Sequence, residues 1–233
     1  MPTEHIVKSF DEELNHLTNL LSEMGGVVET MVTDSLMALR RRDGELAARV
    51  ITTDARVDDL EVAINQQATR LLALRQPMAL DLRTILAAIK TAGDLERVGD
   101  YAANTAKRAT ALSETQPING EKSLYRMGEM AKSALKDVLT AYMENDTENA
   151  ETVRMSDEEL DSTYTSLFRE LLTHMMEDSR QITLCTHLMF AAKNVERIGD
   201  LATNIAEHLL FAARAEEEGE ERPKDDNSSF TTL

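Results

Sequence analysis

The chain writes the same passage twice. GDLERVGDYAANTAKRA, beginning at Gly93, returns as KNVERIGDLATNIAEHL, beginning at Lys193. Glu96, Arg97, Gly99, Asp100, Ala102, Asn104 and Ala106 recur as Glu196, Arg197, Gly199, Asp200, Ala202, Asn204 and Ala206, an offset of 100. Further upstream the offset is 103: Met24-Gly25 returns as Met127-Gly128, Asp34 as Asp137, Leu36 as Leu139, Asp43 as Asp146, and Asp54 and Asp58 as Asp157 and Asp161. The offset falls by three between the second and third helical stretches. The turn near Glu177-Asp178-Ser179 is therefore shorter than its counterpart around Pro77. Identities inside helices and a length change in a loop mark a duplicated helical unit.

Periodicity supplies the helices. Phe10, Leu14, Leu17, Leu21, Met24, Val28 and Met31 advance by three or four residues, the stripe of a core-facing helix. It runs to Leu39. Arg40, Arg41 and Arg42 suit a helix C-terminus, and Asp43-Gly44 breaks it. A second helix carries Leu46, Val50, Val57, Leu60, Ile64 and Leu71 and ends near Arg75, before Pro77. A third spans about Met78 to Leu112. Aromatics are scarce and helix formers abundant, which agrees with an all-α chain. The expected fold is two tandem three-helix bundles related by internal duplication, with helices of roughly 25 to 35 residues. The units span 1–113 and 121–214, with a turn-rich linker at 114–120 and an acidic, disordered tail at 215–233.

Charge narrows the function classes. The formal net charge is −17, which repels phosphodiester backbones and argues against nucleic-acid binding. Cys185 stands alone and is read as a buried, inert thiol. The N-terminus lacks a charged-then-apolar leader, and no run of about 18 apolar residues occurs, so a cytoplasmic protein is expected. Any membrane role then runs through a partner.

The carboxylates are the candidate site. Glu96 and Asp100 stand four apart on a helix, hence on one face about 6 Å apart. Asp54 with Asp58, Asp157 with Asp161, and Glu196 with Asp200 share the spacing. Counted from the turn near Pro77, Asp58 and Glu96 fall at nearly the same height on antiparallel helices, so four acids converge in each unit. A single such pair is ordinarily a solvated helix face. Four of them, repeated internally, point to a cation, and carboxylate oxygens suit Fe, Mn or Mg. Gly99 and Gly199 are costly inside helices and call for close approach by a neighbouring helix or a bound group. Arg97 and Arg197 are placed to pair with Asp100 and Asp200, or with an acid on another helix. His208 lies at four-residue steps from Asp200 and Asn204 and can reach a metal there, although its counterpart Arg108 cannot ligate. Glu13-x-x-His16 resembles half of a di-iron helix motif but occurs once and is read as surface. No nucleophile–base pair recurs between units, so no catalytic residue is assigned.

The doubled E-R-[VI]-G-D-x-A-x-N, each copy preceded by a D-x-x-x-D helix, resembles the PhoU family over about residues 5 to 213. SFDEELNHL, MGGVVE and QPMALDLRTIL also look like that family's pattern. The resemblance implies a homodimer of paired three-helix bundles and a non-enzymatic negative regulator of phosphate uptake and phosphate-starvation signalling. It implies contact with the ATPase subunit of the phosphate ABC transporter and with a sensor histidine kinase. It also implies metal ions (Fe, Mn, Zn or Mg) on Asp54, Asp58, Glu96 and Asp100 and on Asp157, Asp161, Glu196 and Asp200, with Asn104 and Asn204 as secondary contacts. Asn194 stands where the first unit has Asp94, so the two sites are expected to differ in charge. The competing class is a di-iron or di-manganese carboxylate enzyme built in a helical bundle. That class uses E-x-x-H pairs, where the repeated motifs here carry Asp.

Overall fold

In the computed structural model the described residues are 2–213 except 76, 79, 117 and 119; of residues 2–9 and Asp157 only the backbone is described. The acidic tail at 215–233 lies outside them. Among the described residues there are only helices and turns. They are α1 (Pro2–Arg41), α2 (Gly44–Arg75), α3 (Leu80–Ala111), α4 (Glu121–Glu144), α5 (Thr147–Arg154), α6 (Asp157–Glu177) and α7 (Ile182–Ala213), with a 3-10 turn at Ser179–Gln181 before α7.

The first unit is α1, α2 and α3. The second is α4, then α5 and α6 together, then α7. The expected single second helix of this unit is in fact broken at Met155-Ser156. Ser156 donates its hydroxyl to the Val153 carbonyl three residues back, at 2.8 Å, and its own N–H goes to the same oxygen. Thr53, the equivalent residue in α2, bonds four residues back to Arg49 at 2.9 Å, and α2 continues. The side chain thus competes with the helix ladder in one copy and rides on it in the other. Helix lengths also spread beyond expectation, from 40 residues in α1 to 8 in α5.

Both units turn from their first to their second helix in the same way. One residue takes the left-handed conformation, Arg42 (φ 58°) or Asn145 (φ 54°). The next, Asp43 or Asp146, caps the following helix through its carboxylate. Left-handed backbone is ordinary for Asn and strained for Arg. Arg42 is held there by its guanidinium, which donates to the Leu39 carbonyl at 3.3 Å and to Glu121 at 2.6 Å. Glu121 is buried, and it also accepts from the Tyr125 hydroxyl at 2.8 Å and the Ile118 N–H at 3.2 Å. This knot ties the turn of the first unit to the start of the second.

The units meet through α3 and α7 at the centre and α1 and α4 beside them. The α1–α4 crossing is reciprocal. A Cβ on Gly25 would come within 2.9 Å of Leu139, and one on Gly128 within 2.7 Å of Leu36. These four residues are related by the internal repeat, so each glycine receives the leucine that its counterpart's helix presents. That is the geometry of a self-complementary, twofold interface within one chain. One continuous core runs through both units, with Met24, Met127, Leu95 and Val195 buried at equivalent places.

Candidate metal centres

In the first unit, α2 and α3 bring together the four acids read from the sequence. Asp54 is half-buried and its pKa is raised, first by burial and then by the charges of Asp100 and Asp58. Glu96 is raised likewise, by burial and then by Asp100, Glu61, Asp58 and Asp54. Asp58 and Asp100 are exposed. Glu61, one turn beyond Asp58 on α2, belongs to this cluster and escaped the sequence reading. It breaks the four-residue spacing, and its counterpart in the second unit is Tyr164. Lys107 lies near enough to Asp54 to lower its pKa, and it donates to Asn104 at 3.1 Å.

Gly99 sits against α2. A Cβ there would meet Val57 at 3.3 Å and Asp54 at 3.6 Å. Close helix approach therefore accounts for this glycine. Gly199 instead borders a cavity of about 240 Å³ between α4, α5, α6 and α7, which Asp137, Ser156 and Glu159 also line.

In the second unit the acids are tighter and deeper. Asp161, Glu196 and Asp200 each offer a carboxylate oxygen within 4.8 Å of the others. Asp161 and Glu196 are 3% exposed. Asp157 opens α6, and its side chain lies outside the described residues. Burial pushes the Glu196 pKa up, against the pull of Lys193, whose ammonium donates to Glu196 at 2.7 Å. Arg197 reaches Asp200 at 3.2 Å and Glu196 at 3.7 Å. Lys193 also lies 4.9 Å from the ring centre of Tyr164. Lys193 is not among the expected site residues, although its three-residue spacing to Glu196 is the signal for this contact.

The arginines diverge. Arg197 pairs with Asp200 at the expected spacing. Arg97 turns away from Asp100 to Asp94 on its own helix, at 3.4 Å. Asp94 is buried and also receives His208 of α7, Nε2 to Oδ2 at 2.9 Å. His208 is thus committed to joining the two units. Glu13, read as surface, holds the end of α2 through Arg75 at 2.9 Å, which keeps its carboxyl below the usual range. Cys185 is buried, and burial raises its thiol.

The donor set fits a hard or borderline cation. It is all oxygen, it converges from two helices, and Glu196 Oε2 is buried with no hydrogen-bond partner.

A duplicated helical bundle carrying one acidic cluster per unit defines the class. The PhoU domain family model matches residues 21–109 and 124–209, the two units in turn, and the chain belongs to the PhoU family. It is 52% identical over 223 residues to the phosphate-specific transport system accessory protein PhoU homolog of Caulobacter vibrioides, covering 95% of this chain and 97% of that one. The protein of the same name from Rhizobium meliloti is 51% identical over 230 residues, covering 98% of this chain and 97% of that one. The crystal structure of PhoU from Pseudomonas aeruginosa superposes with a TM-score of 0.87 at 36% identity, over 89% of this chain and all of that one. Among the described residues no helix is long and apolar enough to cross a membrane.

Proposed function

We propose that the protein is a cytoplasmic accessory factor that restrains phosphate uptake and phosphate-starvation signalling by contact rather than catalysis. The observation that carries this reading is the near-full-length match, at about half identity, to proteins named as accessories of the phosphate-specific transport system. The partners it calls for are the ATPase subunit of the phosphate ABC transporter and a phosphate-sensing histidine kinase. Leu74, Met78, Leu80, Met176 and Ile182 expose apolar surface at the α2–α3 and α6–α7 turns, which favours a homodimer or another protein contact. Asp54, Asp58, Glu96 and Asp100, with Glu61, form one metal site, and Asp157, Asp161, Glu196 and Asp200 the other. Fe, Mn, Zn and Mg are the candidates. The competing di-iron enzyme reading has little support, because Glu13 of the one E-x-x-H is engaged by Arg75.

Deleting the gene should raise phosphate-starvation gene expression in phosphate-rich medium, and affinity capture should recover the transporter ATPase or the kinase. Unchanged expression together with unchanged phosphate uptake would count against the reading. Elemental analysis of untagged protein purified without chelator tests the metal sites. Light scattering tests the dimer.

A further inference from the structure

The two acidic clusters come from one repeated pattern, yet three positions around them differ in concert. Glu61, Gly93 and Asp94 of the first unit are Tyr164, Lys193 and Asn194 of the second. In the first unit an extra carboxylate joins the cluster, no side chain stands at position 93, and Asp94 draws Arg97 away. In the second unit the carboxylate becomes a tyrosine ring. A lysine reaches Glu196 beside that ring, and with Asn at 194 Arg197 is left to turn to Asp200. Each of these three changes makes the second cluster less negative; Lys107, near Asp54 in the first unit, is Glu207 in the second and runs the other way.

We propose, on the reading of both clusters as metal sites, that Lys193 is a built-in competitor for the cation of the second cluster, so that the first cluster fills before the second. Three carboxylate oxygens within 4.8 Å of one another repel strongly in a buried place. Lys193 and Arg197 offset that repulsion and hold the triad compact without a metal. An incoming cation can meet Glu196 Oε2 directly, but to take both carboxylate oxygens it must break the 2.7 Å charge-assisted hydrogen bond from the ammonium to Oε1, and in either case it must tolerate the ammonium nearby. The Tyr164 ring face, 4.9 Å away, gives Lys193 a place to remain once displaced. The first cluster imposes no such exchange, and its Asp58 and Asp100 are open to solvent.

The test is Mn²⁺ titration of the chelator-stripped full chain, by calorimetry and by the electron paramagnetic resonance of free Mn²⁺. Wild type should show two classes of site with Kd values at least about tenfold apart. Glu96→Gln should remove the tight class and Glu196→Gln the weak one. Lys193→Met, which keeps the apolar stem, should tighten the weak class by about tenfold or more and leave the tight class alone. Lys193→Arg should restore weak binding. Gly93→Lys offers an independent variant, because a Cβ at Gly93 meets nothing within 4 Å. It should weaken the tight class. The proposal is overturned if Lys193→Met leaves the weak class unmoved, if Lys193→Arg tightens it as much as Met does, or if Glu196→Gln removes the tight class. If wild type binds no Mn²⁺, or binding survives both glutamine substitutions, the metal reading itself fails and the proposal falls with it.

Discussion

The first unit carries its second helix unbroken through the acidic motif, whereas the second unit breaks that helix and starts α6 at the motif's first acid. The first leaves its carboxylates half-exposed and mutually repelling. The second buries them and supplies basic side chains of its own. A shared pattern has thus reached two electrostatic solutions. In one, carboxylate charge is opposed mainly by solvent. In the other, it is opposed by protein. Equivalent substitutions in the two units should therefore have unequal effects, even of opposite sign.

The largest difference should appear at the first turns. Glu121→Ala leaves the Arg42 guanidinium partly buried without its carboxylate and removes what holds the left-handed backbone at Arg42. Urea unfolding should show a loss of about 3 kcal/mol. At the equivalent turn Asn145→Ala should cost about 1 kcal/mol, the price of a left-handed Ala alone. Equal costs at the two turns would show that Glu121 contributes nothing beyond local geometry.

The next test is one substitution in both clusters, on chelator-stripped protein. Glu196→Gln leaves Lys193 without its counter-charge but also relieves the burial of a carboxylate, so it should lower stability by no more than about 1 kcal/mol. Glu96→Gln removes repulsion and should be neutral or stabilising by about 0.5 kcal/mol. Changes of the same sign and size would erase the proposed distinction between the clusters.

Acidification isolates the first cluster's share of a feature both clusters have, since burial raises Glu196 of the second as well. Asp54 and Glu96 have raised pKa values, caused first by burial and then by neighbouring carboxylates. A carboxyl raised on folding binds protons more readily in the folded state, so it destabilises the protein above its folded pKa. That penalty is relieved as pH falls from neutrality through the raised values, and is gone below the ordinary carboxylate range. Stripped wild type should therefore gain more stability between neutral and mildly acidic pH than the Asp54→Asn, Glu96→Gln double variant does. Parallel profiles would mean that folding does not raise these two carboxyls.

Much of this was legible in the residues. The repeat offset marked the units, and Pro77 and the apolar stripes placed α1 to α3. Helix arithmetic put Asp54 and Asp58 opposite Glu96 and Asp100. The break at Ser156 was not legible. Either hydroxyl can bond three or four residues back, so the residue types at Ser156 and Thr53 do not fix which one breaks the helix. Arg42 as the left-handed residue was hidden because Gly44 stands two positions on and looks better suited. Its stabiliser, Glu121, is remote in sequence. Spacing along its own helix places His208 toward Asp200. Its actual partner, Asp94, comes from the other unit, and pairing across units cannot be read from periodicity within one.

The smallest expected effect separates two explanations of position 93. Glycine there costs α3 conformational entropy, and a Cβ meets nothing within 4 Å. Gly93→Ala should therefore stabilise the protein by about 0.5 kcal/mol. Gly99→Ala gains the same entropy but presses on Val57 at 3.3 Å, so its net change should be near zero or unfavourable. These two melting shifts calibrate backbone against packing without touching charge. Mn²⁺ affinity of Gly93→Ala should then equal that of wild type, while Gly93→Lys weakens it. If alanine alone weakens the first cluster, what matters at position 93 is the freedom of the glycine backbone. Gly93→Lys would then no longer report on the ammonium charge, and the Lys193 variants alone would decide the proposal.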